Sequence, residues 1–272
     1  MAAHPMLALV ALLCSVPQAG STVKRRQPVQ AVLLEPQGRD CSQIWTETSG
    51  APSGVYAIQP EGAGAPFQAL CDMREDGGWT LIQSRDWGRR RRLDFERCWQ
   101  EYKQGFGDLT GDHWLGLEHI SDLTSQPGLR SELLVDLLGV DNRTLQAHYD
   151  DFHVAGEDLF YRLTLGLYSG NAGDAFRGSG GPDDQEGCGF STLDRDHDRC
   201  SPCTDGAEPF ASCSHDRSGA GWWYSDCGQA DLNGLWPESE RAIPGMRWTV
   251  GDHQPTLRAS VLRVRTTASH KA

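Results

Sequence analysis

Beyond its first two dozen residues the chain has no long apolar run, and nothing after Val16 approaches the about 18 residues a helix needs to cross a bilayer. A helical membrane span is therefore not expected in the rest of the chain. Catalytic signatures are missing too: there is no G-x-S-x-G elbow, no H-E-x-x-H pair and no P-loop. No internal repeat, heptad or Gly-X-Y array appears, so neither a coiled coil nor a collagen stalk is expected. Positive charge is scarce, with 25 Lys and Arg against 37 Asp and Glu and a net charge of −12. A chain this acidic is a poor ligand for nucleic acid or anionic membranes. The carboxylates crowd into Asp183–Asp216, and abundance in acidic loops does not pair a catalytic acid with a base.

What is present begins with "MAAHPMLALVALLCSVPQAGS". Its apolar run from Met6 to Val16, then Pro17 and the small residues Ala19, Gly20 and Ser21, reads as a secretory signal peptide over residues 1–21. Export changes the reading of the cysteines. Cys14 leaves with the signal, and Cys41, Cys71, Cys98, Cys188, Cys200, Cys203, Cys213 and Cys227 remain. In an oxidising compartment disulfides are their default state, with about 105 possible connectivities. Residues 22–39 read as a flexible leader, since Pro28 and Pro36 block a long helix.

From Cys41 onward short strands dominate. "SGVYAI" (Ser53–Ile58), "FQALCDM" (Phe67–Met73) and "GWTLIQS" (Gly78–Ser84) alternate apolar and polar residues between turns. Phe95, Trp99, Tyr102 and Phe106 recur at near-helical spacing, and Gly105 and Gly107 end that run. "HWLGLEHISDL" predicts a second helix, whereas Leu129–Leu138, Tyr149–Val154, "YRLTLGLYSG" and a closing "RASVLRVR" (Arg258–Arg265) predict strands. Residues 171–234 lose periodicity and are rich in Gly, Asp and Cys, the composition of long loops held by covalent or metal ties. The fold class is α+β.

Together "DCSQIW", "SGVYAI", "CDMREDGGWTLIQSR", "FERCWQEYKQGFGDL", "HWLGLEHI", "YRLTLGLYSGNAGDAF", "GFSTLDRDHD", "GWWYSDCGQADLNG" and the final "LRVR" resemble, in order, the landmarks of the fibrinogen C-terminal domain family. The resemblance covers about residues 40–266, with 267–272 as a tail. It implies a globular domain with a central antiparallel sheet, few short helices and a loop-rich, disulfide-tied C-terminal subdomain. It further implies two disulfides, Cys41 with Cys71 and Cys213 with Cys227, of about 3 kcal/mol each in the chain-entropy model. A calcium ion is implied at Asp196 and Asp198, completed by the backbone carbonyls of Cys200 and Pro202, the intervening Arg and His facing water. The implied ligand pocket lies at Ser212 and Cys213, with a cis peptide between them, and Trp222, Trp223 and Tyr224 are its candidate wall, core packing being the rival reading for two of the three. The expected ligands are an acetylated carbohydrate or an extracellular protein.

The chain departs from the family in places. "CSPCTDGAEPFAS" is inserted before Cys213, Gly228 replaces the usual His after the last cysteine, and about Ile243 stands where fibrinogen has a pocket Asp, which disfavours fibrin-knob peptides.

Rival readings attach to the same residues. An EF-hand loop would need Gly and Glu where Arg199 and Asp205 stand. Zinc would recruit His197, Cys200, Cys203, Cys213 or His215, and a secreted metal-dependent hydrolase would rest on His197 or His215 with Asp194–Asp198. A soluble receptor ligand like the angiopoietins is the other alternative. Arg89–Arg92 suits a sulfated glycosaminoglycan or a furin-like protease, and Asn142-Arg143-Thr144 is a glycosylation sequon. The resemblance leaves Cys98, Cys188, Cys200 and Cys203 unpaired; Cys188 with Cys200 or Cys203, a buried Cys98 thiol and a bridge to another chain are the open choices. The sequence predicts a secreted, non-enzymatic recognition domain.

Overall fold

The computed structural model describes residues 34–89, 92–205, 208–217, 219–235 and 245–269. The signal peptide, most of the leader, Arg90, Arg91, Ile243 and the last three residues lie outside the described residues.

The strands are β1 (Gly54–Ile58), β2 (Phe67–Arg74), β3 (Gly77–Asp86), β4 (Phe106–Gly107), β5 (His113–Trp114), β6 (Leu129–Gly139), β7 (Thr144–Tyr149), β8 (Phe152–Val154), β9 (Leu163–Leu165), β10 (Tyr168–Gly170), β11 (Thr204–Asp205), β12 (Glu208–Pro209), β13 (Ala230–Asp231), β14 (Arg247–Trp248) and β15 (Leu257–Ala268). Helices are α1 (Cys41–Glu47), α2 (Trp99–Gln104), α3 (Leu117–Thr124) and α4 (Cys213–Asp216). Among the described residues the main antiparallel sheet runs β1-β2-β3-β15-β6-β7-β10, with β5 joining β3 to β4. The last strand is thus central: β15 pairs with β3 on one side and along its whole length with β6 on the other.

Burial along β15 alternates, with Ser260, Leu262, Val264 and Thr266 buried and their neighbours half-buried, as a strand with one core face requires. On the opposite face Arg263 pairs with Asp72 (3.1 Å) and Asp136, and Arg265 with Glu132 (2.7 Å) and Asp76 (3.6 Å). These cross-strand charges reinforce the register.

β1, β2, β3, β6 and β15 form close to their predicted ends, but the Tyr149–Val154 segment divides between the end of β7 and β8, "YRLTLGLYSG" divides into β9 and β10, and other boundaries differ. Residues 41–47 form α1. Asp40 caps it by accepting from the Gln43 amide (2.8 Å), and its other oxygen accepts from Gln126 Nε2 (2.9 Å) and Thr266 Oγ1 (2.8 Å), so one buried carboxylate ties the domain's start to its last strand. Gly78 lies where α1 crosses β3, and a Cβ there would strike the Cys41 carbonyl. The aromatic run near Phe95 folds into a short α2, because Gly105 (φ +90°) closes against the Trp114–Leu115 backbone. Residues next to the expected domain ends pair with the sheet. The Gln37 amide donates to Ala57 O (2.8 Å) and Gly38 bridges Ile58, while β15 runs on to Ala268.

Residues 171–235 pack over one end of this sheet as loops with only short strand pairs. Their aromatic residues complete the core: Phe176, Phe190, Trp222, Trp223 and Tyr224, with Trp248 of β14, are buried in one cluster with Trp99, Tyr102 and Trp114.

Candidate functional site

The "LDRDHD" loop hangs from the core by its side chains, and its three aspartates do three different things. Asp194 Oδ1 accepts from the Trp99 amide (2.9 Å) and Thr192 Oγ1 (2.8 Å), so it caps α2 from far along the chain. Asp196 is exposed and accepts from the Asp198 amide (3.1 Å). Asp198 is half-buried; Oδ1 accepts from the Cys200 amide (3.0 Å) and Oδ2 from the Cys213 amide (2.8 Å). Burial, together with the neighbouring Asp196 carboxylate, pushes Asp198 above the usual carboxylate range, although its two amide bonds pull the other way.

Of the residues between them, Arg195 is exposed, as expected, whereas His197 is half-buried against the protein. Arg195 lies 4.9 Å over the Trp99 ring and pairs with Glu157 (3.5 Å). His197 Nδ1 donates to Phe190 O (2.7 Å), with its ring stacked on Phe160 (4.1 Å) and edge-on to Trp99. The Phe160–Tyr161 turn has both residues at positive φ (57° and 51°), and it leaves Phe160 46 % and Leu159 47 % exposed. Leu193, in the adjoining turn, is 39 % exposed.

The implied pocket residues lie differently from expectation. Trp222, Trp223 and Tyr224 are all 0 % exposed. Trp223 Nε1 donates to Tyr161 O (2.7 Å), Trp222 stacks on Phe176, and Tyr224 donates to Asp231 Oδ2 (3.0 Å). Their rings form core, because the loops lack enough regular backbone pairing to bury anything else. The Ser212–Cys213 peptide is trans; among the described residues the cis bond is Ser201–Pro202. Ser212 is extended (φ −163°) and caps α4 by accepting from His215 N (3.3 Å). Two clefts, of about 460 and 350 Å³, open elsewhere, on the outer sheet face around Leu138 and Val261 and beside Arg89 and Arg92.

Cys41–Cys71 and Cys213–Cys227 are both bonded, as the resemblance implies. Cys200 and Cys203, whose pairing the sequence leaves open, bond to each other. Among the described residues Cys188 is a free, buried thiol, which burial pushes up to about 11. One group of potential metal-ligating atoms draws together Asp198, Cys200, Cys203 and Cys213, all within 4.8 Å of one another, and with these cysteines in disulfides it offers zinc no thiolate. Among the described residues neither His197 nor His215 joins it, so the hydrolase constellation is not assembled.

For calcium, the observation in favour is the carboxylate pair. Two acidic groups side by side, one of them desolvated, form an unfavourable arrangement that a hard cation relieves. The Cys200 carbonyl faces Cys203 Sγ at 3.1 Å, and Pro202 is exposed, so the donors fit the ion in part.

Sequence reasoning missed two buried residues that organise this region. Gln185 is 0 % exposed; Nε2 donates to Trp223 O (2.7 Å) and Ala230 O (3.0 Å), and Oε1 accepts from the Ala230 amide (2.9 Å). Arg85, on β3, reaches Leu232 O (3.1 Å) and Gly234 O and lies over Phe95, its pKa lowered to about 10 by burial. Neither belongs to a motif, so no local signal marked them. Of the basic run, Arg89 pairs with Asp112 (3.2 Å) and Arg92 lies 3.8 Å over Trp87. Asn142 is exposed at the β6–β7 turn with φ 64°.

A sheet-backed, disulfide-tied domain whose loops build one face is the class that fold and site define. The family of fibrinogen beta and gamma chains, C-terminal globular domain, matches residues 37–265. The chain belongs to this family. It is 38% identical over 233 residues to angiopoietin-4 of Homo sapiens, covering 84% of this chain and 42% of that protein. With fibrinogen-like protein 1 of Homo sapiens it shares 34% over 241 residues, 84% of this chain and 72% of that one. It spans less than half of the angiopoietins it matches. Among solved structures, the fibrinogen-like globe domain of human ANGPTL2 superposes with a TM-score of 0.69 at 37% identity, covering 84% of this chain and 98% of that one. Lamprey fibrin D-dimer, complexed with the peptide ligand Gly-His-Arg-Pro-amide, superposes with a TM-score of 0.70 at 30% identity over 86% and 76%. No helix among the described residues is long and apolar enough to cross a membrane.

Proposed function

We propose that this chain is a secreted, non-enzymatic recognition domain that docks an extracellular protein, in the manner of a soluble receptor ligand like the angiopoietins, through the face built by the 157–160 and 192–197 turns. The observation that carries this reading is Phe160. A large aromatic, nearly half exposed, is held in the left-handed region and buttressed by the His197 ring, with the exposed Leu159 next to it in the chain. Rigid, partly exposed aromatics at low entropic cost are the usual anchors of protein interfaces, and a positive-φ bulky residue is retained where its surroundings hold it. The Arg195–Glu157–Lys103 ion-pair chain forms a polar rim.

Calcium at Asp196 and Asp198 is part of the proposal. The raised Asp198 pKa means that the folded state binds the proton more tightly than the unfolded state. That contribution to stability is fully present below the unfolded pKa and is lost as pH rises through the folded one. At neutral pH an ion takes over the role of the missing proton.

The deciding experiment is binding of the secreted protein to a panel of extracellular receptor domains, with Phe160→Ala beside it. Saturable binding that the variant loses, while its melting temperature stays within a degree or two, supports the docking face. Retention on an N-acetylglucosamine resin with elution by free sugar, unaffected by Phe160→Ala, would replace the protein partner with an acetylated glycan. The Arg89–Arg92 run is the candidate site for a sulfated glycosaminoglycan, and of it Arg89 and Arg92 are among the described residues. Because each is already engaged within the protein, retention on heparin resin is expected to be weak and to vanish at moderate salt.

A further inference from the structure

The inserted "CSPC" turn places a second disulfide against the disulfide that closes the C-terminal subdomain. Cys200, Cys203 and Cys213 bring their sulfurs within 4.8 Å of one another and of the Asp198 carboxylate. Asp198 holds the two disulfides in register, accepting from the Cys200 amide with one oxygen and from the Cys213 amide with the other. The two sides differ in access. Ser201 and Pro202 are exposed and Cys200 is half-buried, whereas Cys203, Cys213 and Cys227 are buried at 5 %, 0 % and 7 %. An external thiol therefore reaches Cys200 first, and Cys213–Cys227 only through its neighbour.

We propose that Cys200–Cys203 is a thiol–disulfide exchange site, through which an extracellular dithiol of the thioredoxin class rearranges the Cys213–Cys227 bond. A thiolate of the dithiol attacks Cys200 Sγ; the Cys200–Cys203 bond breaks and Cys203 leaves as thiolate. Cys203 then attacks Cys213 Sγ, a Cys203–Cys213 bond forms, and Cys227 leaves and takes a proton from solvent. The second thiol of the dithiol resolves the mixed disulfide, releasing the Cys200 thiol and the oxidised reductant. Two electrons and two protons pass from the dithiol to the protein: two protein disulfides become one disulfide and two thiols. The Cys213–Cys227 closure, a separation of 14 residues enclosing α4 and Trp222–Tyr224, is lost, and a closure ten residues long replaces it outside the aromatic segment. Cys188 is not a competing nucleophile. It lies outside the sulfur group, is 1 % exposed, and keeps its proton at neutral pH.

The test uses the full secreted chain treated with limiting dithiothreitol, then with reduced thioredoxin, in chelator so that metal plays no part. The reaction is quenched with N-ethylmaleimide and the disulfides mapped by non-reducing peptide mass spectrometry. The expected early product is a Cys203–Cys213-linked peptide with Cys200 and Cys227 alkylated and Cys41–Cys71 intact. Alkylation of both Cys200 and Cys203 with Cys213–Cys227 still bonded would overturn the proposal. A Cys200→Ser/Cys203→Ser variant gives an independent check, since it leaves Cys41–Cys71 and Cys213–Cys227 in place. Its Cys213–Cys227 bond is expected to resist the same dose, with reduction slowed by about ten-fold or more once the exposed entry point is gone; an unchanged rate would sink the exchange route.

Discussion

The sheet and the loop-built region reach comparable burial by opposite means. Across β3, β15 and β6 the backbone supplies long ladders, and the outer face adds Arg263 and Arg265 pairs to several partners, so each contact has others beside it. In residues 171–235 few strands pair. Order rests on single side chains that each satisfy several backbone groups, such as Gln185 and Asp198, on stacked aromatics, and on two disulfides. A ladder spreads a loss over many bonds, whereas a loop that depends on one buried amide or one ring loses its organisation with it.

Substitutions should expose that contrast. The largest effect is expected from Trp223→Ala, which removes a fully buried ring and its bond to Tyr161 O. A loss of about 3–5 kcal/mol in denaturant unfolding is expected. Removing one disulfide by paired Cys→Ser changes should cost about 3 kcal/mol in either region. Hydrogen exchange is the discriminating readout: loss of Cys213–Cys227 should deprotect the loops and leave β15 protected, and equal deprotection of both regions would abolish the distinction drawn here. Next comes the ion. Millimolar calcium should stabilise the protein by about 1–2 kcal/mol relative to chelator, and Asp198→Ala should remove that increment in thermal unfolding.

A smaller effect, this time on the sheet side, concerns His113 on β5, whose pKa burial lowers. A depressed histidine binds protons more readily when unfolded. Stability should therefore decline as pH falls through the unfolded value of 6.5, and the slope should lessen in His113→Gln. The smallest is a null effect on stability: native Cys188, with its thiol at about 11, exposes roughly one thiolate in a thousand at pH 8 and should alkylate only on unfolding.

Strands, turns and family were legible in local patterns. Alternation in "FQALCDM" and "RASVLRVR" predicts β2 and β15 because the period of two depends only on which face is buried. The helix α1 was missed although its Asp40 cap stood in the sequence, since seven residues give too short a period to read. The candidate site was legible as chemistry but not as placement. The three aspartates of one short loop were visible, yet one caps a distant helix, one faces solvent and one joins two disulfides.

The amino-acid sequence by itself determined the ordered family motifs and the strands of the sheet, because motifs and burial periodicity are properties of neighbouring residues; the Cys41–Cys71 and Cys213–Cys227 bonds followed only from the family resemblance those motifs carry. The tertiary structure alone decided that Trp222, Trp223 and Tyr224 are core and Phe160 is surface, that Cys200 bonds Cys203, and that Gln185 and Arg85 hold the loops. These depend on which distant backbone groups come to lie beside a side chain once the sheet has closed, and no local spacing carries that information.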